Sequence, residues 1–245
     1  MTSELPTSEN LHAWAKLTLS LRVVGRRNDG MHLIDAEMVT LDLHDQLVVT
    51  PAAVSRVSFR GDDGDIPTTG DDLVAKALSL AGVSAEVAVT KHIHAGAGLG
   101  GGSADAAAIL RWAGFENLER AADELGADVA FCMVGGRAQV SGIGEVVKPL
   151  AHQDRVVTLL TPPIHCPSGA VYQAWDKLPS HDTVGTNDLE PAALHLRPAL
   201  AQWRDQLGNA TGRTPQLAGS GSTWFVEGNY PGGGRVVART VPALT

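Results

Sequence analysis

A run of glycines between residues 96 and 102 constrains this chain more than any other stretch of its sequence. Five of the seven residues are glycine, and glycine loses more conformational entropy on folding than any other residue, so such a run needs a reason. Ser103 is placed to cap a helix over Ala104–Trp112, which Gly114 would close. Unpaired backbone N–H groups at the start of a helix favour an anion. The stretch therefore predicts a phosphate-binding loop rather than a flexible linker.

Two common phosphate motifs do not fit this run. Gly96, Gly98 and Gly101 match the dinucleotide-binding fingerprint, which also needs a strand that ends in an acid about 20 residues further on. That region, Glu116–Leu125, has the pattern of a helix instead. A Walker A loop needs a lysine after its last glycine, and Gly102 occupies the lysine position. The loop must therefore belong to another class of phosphate site.

Composition and charge exclude several classes of partner. The 245 residues are 44% hydrophobic and 19% charged, which is typical of a globular protein with a sizeable core. A net charge of −8 and the absence of any basic run longer than Arg26-Arg27 argue against a nucleic-acid partner. No apolar stretch reaches the roughly 18 residues of a membrane helix, and the polar segment Met1–Asn10 resembles neither a signal peptide nor an anchor. We expect a cytoplasmic protein in which Cys132 and Cys166 are reduced and packed.

Several segments resemble, in order along the chain, the motifs of the GHMP kinases. Gly98–Ala107, with its triple glycine followed by Ser-x-Asp-Ala-Ala, is most similar to the branch that phosphorylates 4-diphosphocytidyl-2-C-methyl-D-erythritol. This resemblance implies an α+β fold of two domains. Residues 1–152 would form the ATP-binding domain, which is like domain 2 of ribosomal protein S5, and residues 153–245 a ferredoxin-like domain. The other matching segments are Ala15–Leu21, Gly25–His32, Gly126–Val129, Gly135–Glu145, Pro167–Trp175, Asn187–Ala192 and Leu217–Phe225.

The segment Lys16–Val23 alternates apolar and polar residues, which predicts a half-buried strand. The residues expected to face the core are Leu17, Leu19, Leu21 and Val23. Lys16 and Thr18 would share the other face, which by alternation alone is a solvated one. The resemblance implies instead that Lys16 faces the acceptor hydroxyl, and that Thr18 stands where the family usually has asparagine.

Asp128 lies in Gly126-Ala127-Asp128-Val129, a match to the family segment that carries the proposed catalytic base. By local rules Asp128 could equally be the N-cap of the apolar run that follows it, and the residues alone leave both interpretations open. The resemblance implies that Asp128 accepts the hydroxyl proton, and that Lys16 keeps it ionised and helps to neutralise the transferring group. The cofactors implied are ATP and Mg²⁺, with the Ser103 hydroxyl as a candidate magnesium ligand. The residues implied to hold the phosphates are Gly96, Ala97, Gly98, Leu99, Gly100, Gly101, Gly102 and Ser103.

The segment Gly25–His32 resembles a motif whose tyrosine and histidine bind a cytosine ring. His32 matches, but Met31 replaces the tyrosine. Tyr172 is placed as a second aromatic near the base, although a core tyrosine fits equally well. The implied reaction is transfer of the ATP γ-phosphoryl group to the 2-hydroxyl of 4-diphosphocytidyl-2-C-methyl-D-erythritol, in non-mevalonate isoprenoid synthesis, by a monomer or weak homodimer. Thr18 and Met31 leave open a kinase for another small alcohol, and a non-catalytic nucleotide-binding relative is the second alternative.

The remaining elements follow from periodicity and turn signals. Residues 61–72 are acidic and rich in turn formers, and they predict a surface loop. Strands are predicted near Ala36–Leu43, Gln46–Thr50, Val54–Phe59, Glu86–Thr90, Val156–Thr161 and Arg235–Arg239. Helices are predicted over Asp72–Ala81, Glu116–Leu125 and Ala193–Leu207.

Overall fold

The structure is a computed structural model that describes residues 7–62, 64–67, 72–179 and 185–244. The strands β1 to β11 are Glu9–Arg26, His32–Pro51, Arg56–Gly61, Gly64–Ile66, Ala85–Thr90, Arg137–Gly142, Val146–Leu150, Val156–Leu160, Gln216–Leu217, Trp224–Glu227 and Val236–Arg239. The helices α1 to α7 are Leu73–Ala81, Gly101–Trp112, Leu118–Leu125, Ala127–Val134, Ser168–Trp175, Glu190–Leu196 and Leu200–Thr211.

The first sheet is built around the long antiparallel pair of β1 and β2. A turn at Asp29-Gly30 joins the two strands, as the sequence predicts. The other edge of β2 pairs with β5 and β6, which gives the order β4-β3-β5-β2-β6-β7 with β1 on β2. The expectation of two strands over residues 36–50 is wrong, because pairing with β1 continues through His44 and Asp45. His44 and Asp45, the polar pair that suggested a break, lie within a single strand.

Irregularities in β1 change which of its side chains share a face. The register against β2 shifts between Thr18 and Ser20, where β1 carries one extra residue. A bulge inserts one residue and so reverses the alternation that follows it. Leu17 and Leu19 therefore pack between the two sheets, whereas Leu21 and Val23 pack in the larger core beside the helices. The expectation of one inward face for these four residues is wrong.

The second sheet consists of β8 to β11 in the antiparallel order β11-β8-β10-β9, which is the strand order of a ferredoxin-like fold. Helices α5 to α7 lie in the connection from β8 to β9. The single helix expected over residues 193–207 is two helices, because Pro198 lies between α6 and α7. Proline lacks an N–H group and cannot continue a helix through its own position.

Two hydrophobic clusters hold the sheets and helices together. The larger one joins the first sheet to α1 to α7, and also includes Leu160 and Trp224 of the second sheet. The smaller one lies between the sheets, with Leu17 and Leu41 on one side and Leu159 and Phe225 on the other. Since both clusters draw on residues from each half of the chain, the division at residue 152 stays a prediction.

Several local expectations can be compared with the described residues. Asp72 caps α1 through a hydrogen bond from the Ala75 N–H, and a left-handed Gly82 ends that helix, as predicted. Residues 64–66 of the expected surface loop form β4, whereas residues 63 and 68–71 lie outside the described part. Cys132 and Cys166 are free and buried, as expected, and burial raises the pKa of Cys132 to about 12. In the described ranges, no helix combines the length and the apolar character needed to cross a bilayer.

Candidate active site

The glycine loop connects β5 to α2, and its backbone explains the need for glycine. Gly98 and Gly100 have φ angles of +78° and +69°, which side chains disfavour. A Cβ atom on Gly98 would lie 2.6 Å from the carbonyl oxygens of both Ala218 and Gly221. A Cβ atom on Gly100 would lie 2.8 Å from the Cγ atom of Lys16. The loop therefore passes too close to two other segments for any larger residue.

The glycine loop is held from both sides by backbone hydrogen bonds. The Lys16 N–H donates to the Leu99 carbonyl, and the Thr223 N–H donates to the Ala97 carbonyl, each at 3.0 Å. The Ala97 and Leu99 side chains are buried between the sheets, so they anchor the loop in the core. These two buried side chains therefore fix the backbone of the loop.

A second glycine turn, residues 218–223, supports the first, and buried Asn187 fixes it. The Asn187 Nδ2 atom donates to the carbonyls of Leu217 at 2.9 Å and Gly219 at 2.7 Å. The Asn187 Oδ1 atom accepts from the Leu189 N–H at 2.9 Å. One amide thus ties the start of α6 to the turn that packs against the glycine loop. The matching segment Asn187–Ala192 includes this residue, but it does not predict these hydrogen bonds.

Ser103 is not the cap of α2. The helix begins at Gly101, its N-cap is Gly100 in the left-handed conformation, and no side chain caps it. Ser103 is the third residue of the helix, because the glycine turn completes the change of direction three residues earlier than the serine suggests. The N–H groups of residues 101–103 have no acceptor inside the helix. They and the helix dipole form a site that favours an anion.

Two cavities meet beside this helix start. A cavity of about 580 Å³ is lined by the glycine loop and by an apolar group: Phe59, Ile66, Pro67, Leu73 and Val74. We call it the loop cavity. A second cavity of about 520 Å³, the acceptor cavity, is lined by Lys16, Thr18, Met31, His32 and Tyr172, among others. Both cavities are lined by Ser103, Asp128, Ser168 and Ser220. A group held at this boundary can be reached from either side.

Lys16 and Asp128 form an ion pair at the boundary. The Lys16 Nζ atom lies 3.2 Å from Asp128 Oδ2 and donates to Thr18 Oγ1 at 3.3 Å. The lysine is only 5% exposed, and a buried ammonium needs such partners. Asp128 lies in the first turn of α4, whose N-cap is Gly126 and which has no capping side chain. The capping interpretation of Asp128 is therefore wrong, and its carboxylate is free to face the cavities.

His32 and Tyr172 are brought together in the acceptor cavity. Their rings stack with centroids 4.7 Å apart and planes 23° from parallel. Burial, and then the charge of Asp128, raise the pKa of the Tyr172 hydroxyl, so it stays protonated. Met31 is 47% exposed, so its thioether lies open to solvent. The four residues assigned to the acceptor from the sequence, Thr18, Met31, His32 and Tyr172, all line one cavity.

Sequence analysis did not identify a buried cluster formed by Lys91, Asp45 and Asp105. The Lys91 Nζ atom contacts Asp45 and lies 2.6 Å from Asp105 Oδ2. Lys91 and Asp105 line the loop cavity. Burial raises the pKa of Asp105 to about 7, against the opposing effect of Lys91. Asp45 stands within an unbroken strand, and nothing local indicates that its partner comes from the segment after β5.

Comparison with known proteins identifies relatives of this chain. Residues 71–136 match the family model described as the GHMP kinases N terminal domain. A curated 4-diphosphocytidyl-2-C-methyl-D-erythritol kinase from Cereibacter sphaeroides (strain ATCC 17029 / ATH 2.4.9) is 34% identical over 241 residues, which cover 87% of each chain. The enzyme of the same name from Paracoccus denitrificans (strain Pd 1222) is 34% identical over 244 residues, which cover 90% of this chain and 87% of that one.

Among solved structures, a crystal structure of 4-(cytidine 5'-diphospho)-2C-methyl-D-erythritol kinase matches with a TM-score of 0.77 and 30% identity. The match covers 95% of this chain and 99% of that one. A glycine loop that opens a helix beside a Lys–Asp pair, on this pair of sheets, defines a small-molecule kinase of the GHMP class. Within that class, the chain belongs to the 4-diphosphocytidyl-2-C-methyl-D-erythritol kinase family. The expected α+β fold is thereby confirmed.

Proposed function

We propose that this chain transfers the γ-phosphoryl group of ATP to the 2-hydroxyl of 4-diphosphocytidyl-2-C-methyl-D-erythritol, in non-mevalonate isoprenoid synthesis. The observation that carries the proposal is the Lys16–Asp128 pair, with 3.2 Å between Nζ and Oδ2, at the boundary of the two cavities. A kinase must hold a phosphate chain on one side of such a boundary and a hydroxyl on the other. The names of the relatives supply the acceptor.

The loop cavity suits a nucleoside triphosphate. Its volume, about 580 Å³, is within the usual range of small-molecule sites. The N–H groups of residues 101–103 would bind phosphate oxygens without a Walker lysine. The apolar residues of its lining, Phe59 and Leu73 among them, offer a surface for the flat adenine ring. With its phosphates on the N–H groups at the start of α2, the nucleotide would present its γ-phosphate to the boundary that holds Asp128.

Magnesium fits the donors at this boundary. Mg²⁺ binds oxygen ligands and commonly uses one or two protein oxygens together with substrate phosphates. The Ser103 hydroxyl and the Asp128 carboxylate line both cavities. We assign the Ser103 hydroxyl as the protein ligand nearest the phosphates. When bound, the ion would neutralise charge on the phosphate chain.

Asp128 and Lys16 would carry the chemistry. Phosphoryl transfer depends mainly on positioning and charge neutralisation. Asp128 would accept the proton of the acceptor hydroxyl. Lys16 would stabilise the ionised Asp128 and the charge on the transferring group. Burial of Lys16 strengthens both effects, because little water screens its ammonium.

The acceptor cavity supports a cytidyl substrate through His32 and Tyr172. The two departures from the family pattern on the acceptor side, Thr18 and Met31, both line this cavity, so any change of acceptor would arise here. A cytoplasmic location and a monomeric or weakly dimeric state stay predictions.

An ADP-release assay across candidate acceptors tests the proposal. We expect turnover with the cytidyl compound, and ³¹P NMR should place the new phosphate on the 2-hydroxyl. Lys16→Met should abolish turnover, whereas Lys148→Met, at an exposed position of β7, is the matched control and should not. Turnover with a different alcohol alone would favour the other-acceptor alternative. ATP binding without turnover on any acceptor would favour a non-catalytic relative.

A further inference from the structure

The imidazole of His32 is held on three sides by helix α5 and the residue that follows it. Tyr172 and Asp176 are one helical turn apart, so they project from the same side. Tyr172 stacks on the ring face, and the Trp175 ring lies at 88° to the imidazole with centroids 5.7 Å apart. Asp176 Oδ1 lies 2.7 Å from His32 Nε2. Asp176 is also paired with Arg26, at 3.5 Å.

The contact with Asp176 decides which nitrogen of His32 carries the proton. An ionised carboxylate can only accept a hydrogen bond, so Nε2 must be the protonated nitrogen. In the neutral ring Nδ1 is then a bare acceptor. Within the described residues, no group is hydrogen-bonded to Nδ1, and His32 lines the acceptor cavity. The side chain is only 10% exposed, so its orientation is fixed before any ligand binds.

We propose that Asp176 is a positioning residue that makes His32 select cytosine over uracil. The inference rests on the proposed cytidyl acceptor. Cytosine presents an amino group at its fourth position, where uracil presents a carbonyl oxygen. The Nδ1 lone pair accepts a hydrogen bond from the amino group and repels the carbonyl. One ring face of His32 is covered by Tyr172, so the base meets the imidazole at its nitrogen edge.

The test compares cytidyl and uridyl forms of the acceptor at pH 8, by kcat and KM. Asp176→Ala should raise the KM for the cytidyl form and lower the cytidyl-to-uridyl selectivity by about tenfold, the scale of one hydrogen bond. The kcat and the KM for ATP should change less than about twofold, because the boundary at Asp128 is untouched. Asp176→Asn should keep most of the selectivity, since its amide oxygen still accepts from Nε2. Asp154→Ala breaks a surface His–Asp pair of the same type, with His152, and should change nothing.

Two readouts separate this inference from the proposed function. Nitrogen-15 NMR of His32 in the free protein should show the proton on Nε2 in the wild type and a mixture of tautomers in Asp176→Ala. Calorimetry should show CDP bound in preference to UDP, with the preference lost in Asp176→Ala. If the wild type fails to turn over the cytidyl acceptor but keeps that preference, the proposed function fails and the inference stands. An equal loss for both bases, unchanged selectivity, or a proton on Nδ1 would overturn it.

Discussion

Replacing Asp128 by asparagine tests the chemistry with little change to the fold. The substitution keeps the size of the side chain and removes its charge. Gly126, not Asp128, caps α4, so no capping hydrogen bond is lost. Lys16 keeps its hydrogen bond to Thr18 and can still bond to the amide oxygen. The change is therefore confined to a proton acceptor and one half of an ion pair.

The structure sets different magnitudes for stability and rate. The substitution removes an anion from the first turn of α4, which contributes about 0.3–1 kcal/mol. It also replaces the charged partner of the buried Lys16 ammonium by a neutral amide, which costs about 1–3 kcal/mol more. In a chain of this size 1 kcal/mol shifts Tm by about 2–4 °C, so we expect a decrease of about 5–10 °C. A positioned general base contributes about 10²–10⁴ in rate, which is roughly 3–5 kcal/mol of activation free energy.

Saturating ADP-release kinetics, ATP binding by calorimetry and a thermal melt measure these quantities on one protein preparation. We expect kcat to fall by two to four orders of magnitude, while ATP affinity changes little. Asp123→Asn, at an exposed position of the neighbouring helix α3, is the matched control and should keep full activity. A kcat for Asp128→Asn within a factor of two of the wild type would refute the assignment of Asp128 as the base.

Three further predictions follow from the same geometry. Gly98→Ala should weaken ATP binding at least tenfold, because its left-handed backbone and two carbonyls at 2.6 Å leave no room for a Cβ atom. A Cβ atom on Gly102 would meet only an ordinary contact at 3.5 Å, so the Gly102→Ala variant should fold and melt normally. An ATP affinity that is unchanged in Gly98→Ala would contradict the assignment of the loop. Met31→Tyr should tighten the cytidyl substrate by about 1 kcal/mol, the scale of an aromatic pair, and an unchanged KM would mean that the base is held elsewhere. The folded-state pKa of Asp105 is raised from 3.8 to about 7, so the folded protein holds a proton that the unfolded chain releases, and this group's stabilisation is lost as pH rises from about 4 through 7. The free energy of unfolding in urea should therefore depend less on pH in that window for Asp105→Asn than for the wild type. The same pH dependence in both proteins would contradict this prediction.

The sequence predicts those parts of the site that depend on local conformation. A run of five glycines signals backbone angles that other residues avoid, and the structure has them at Gly98 and Gly100. The Asp29-Gly30 turn predicts the hairpin of β1 and β2. Asp72 and Gly82 mark the ends of α1 through capping rules. The order of the motifs also identified the family, because a motif is recognised from residue types and their spacing alone.

The tertiary structure decides which distant residues meet. The bulge in β1 between Thr18 and Ser20 reverses the alternation and separates Leu17 from Leu21, and no local sequence pattern predicts a bulge. The close fit at Gly98 is imposed by the turn at Ala218 and Gly221, from the other half of the chain.

The dependence on segments that are distant in sequence also explains the contacts that sequence analysis missed. Asp45 meets Lys91, and Asp176 meets His32, only because strands and helices far apart in the chain pack together. Local sequence reports the conformational preference of a segment, whereas an ion pair or a hydrogen bond depends on where a second segment is placed. The roles of Lys16 and Asp128 could be named from the motifs, but it is the fold that brings Nζ and Oδ2 within 3.2 Å at the boundary of two cavities.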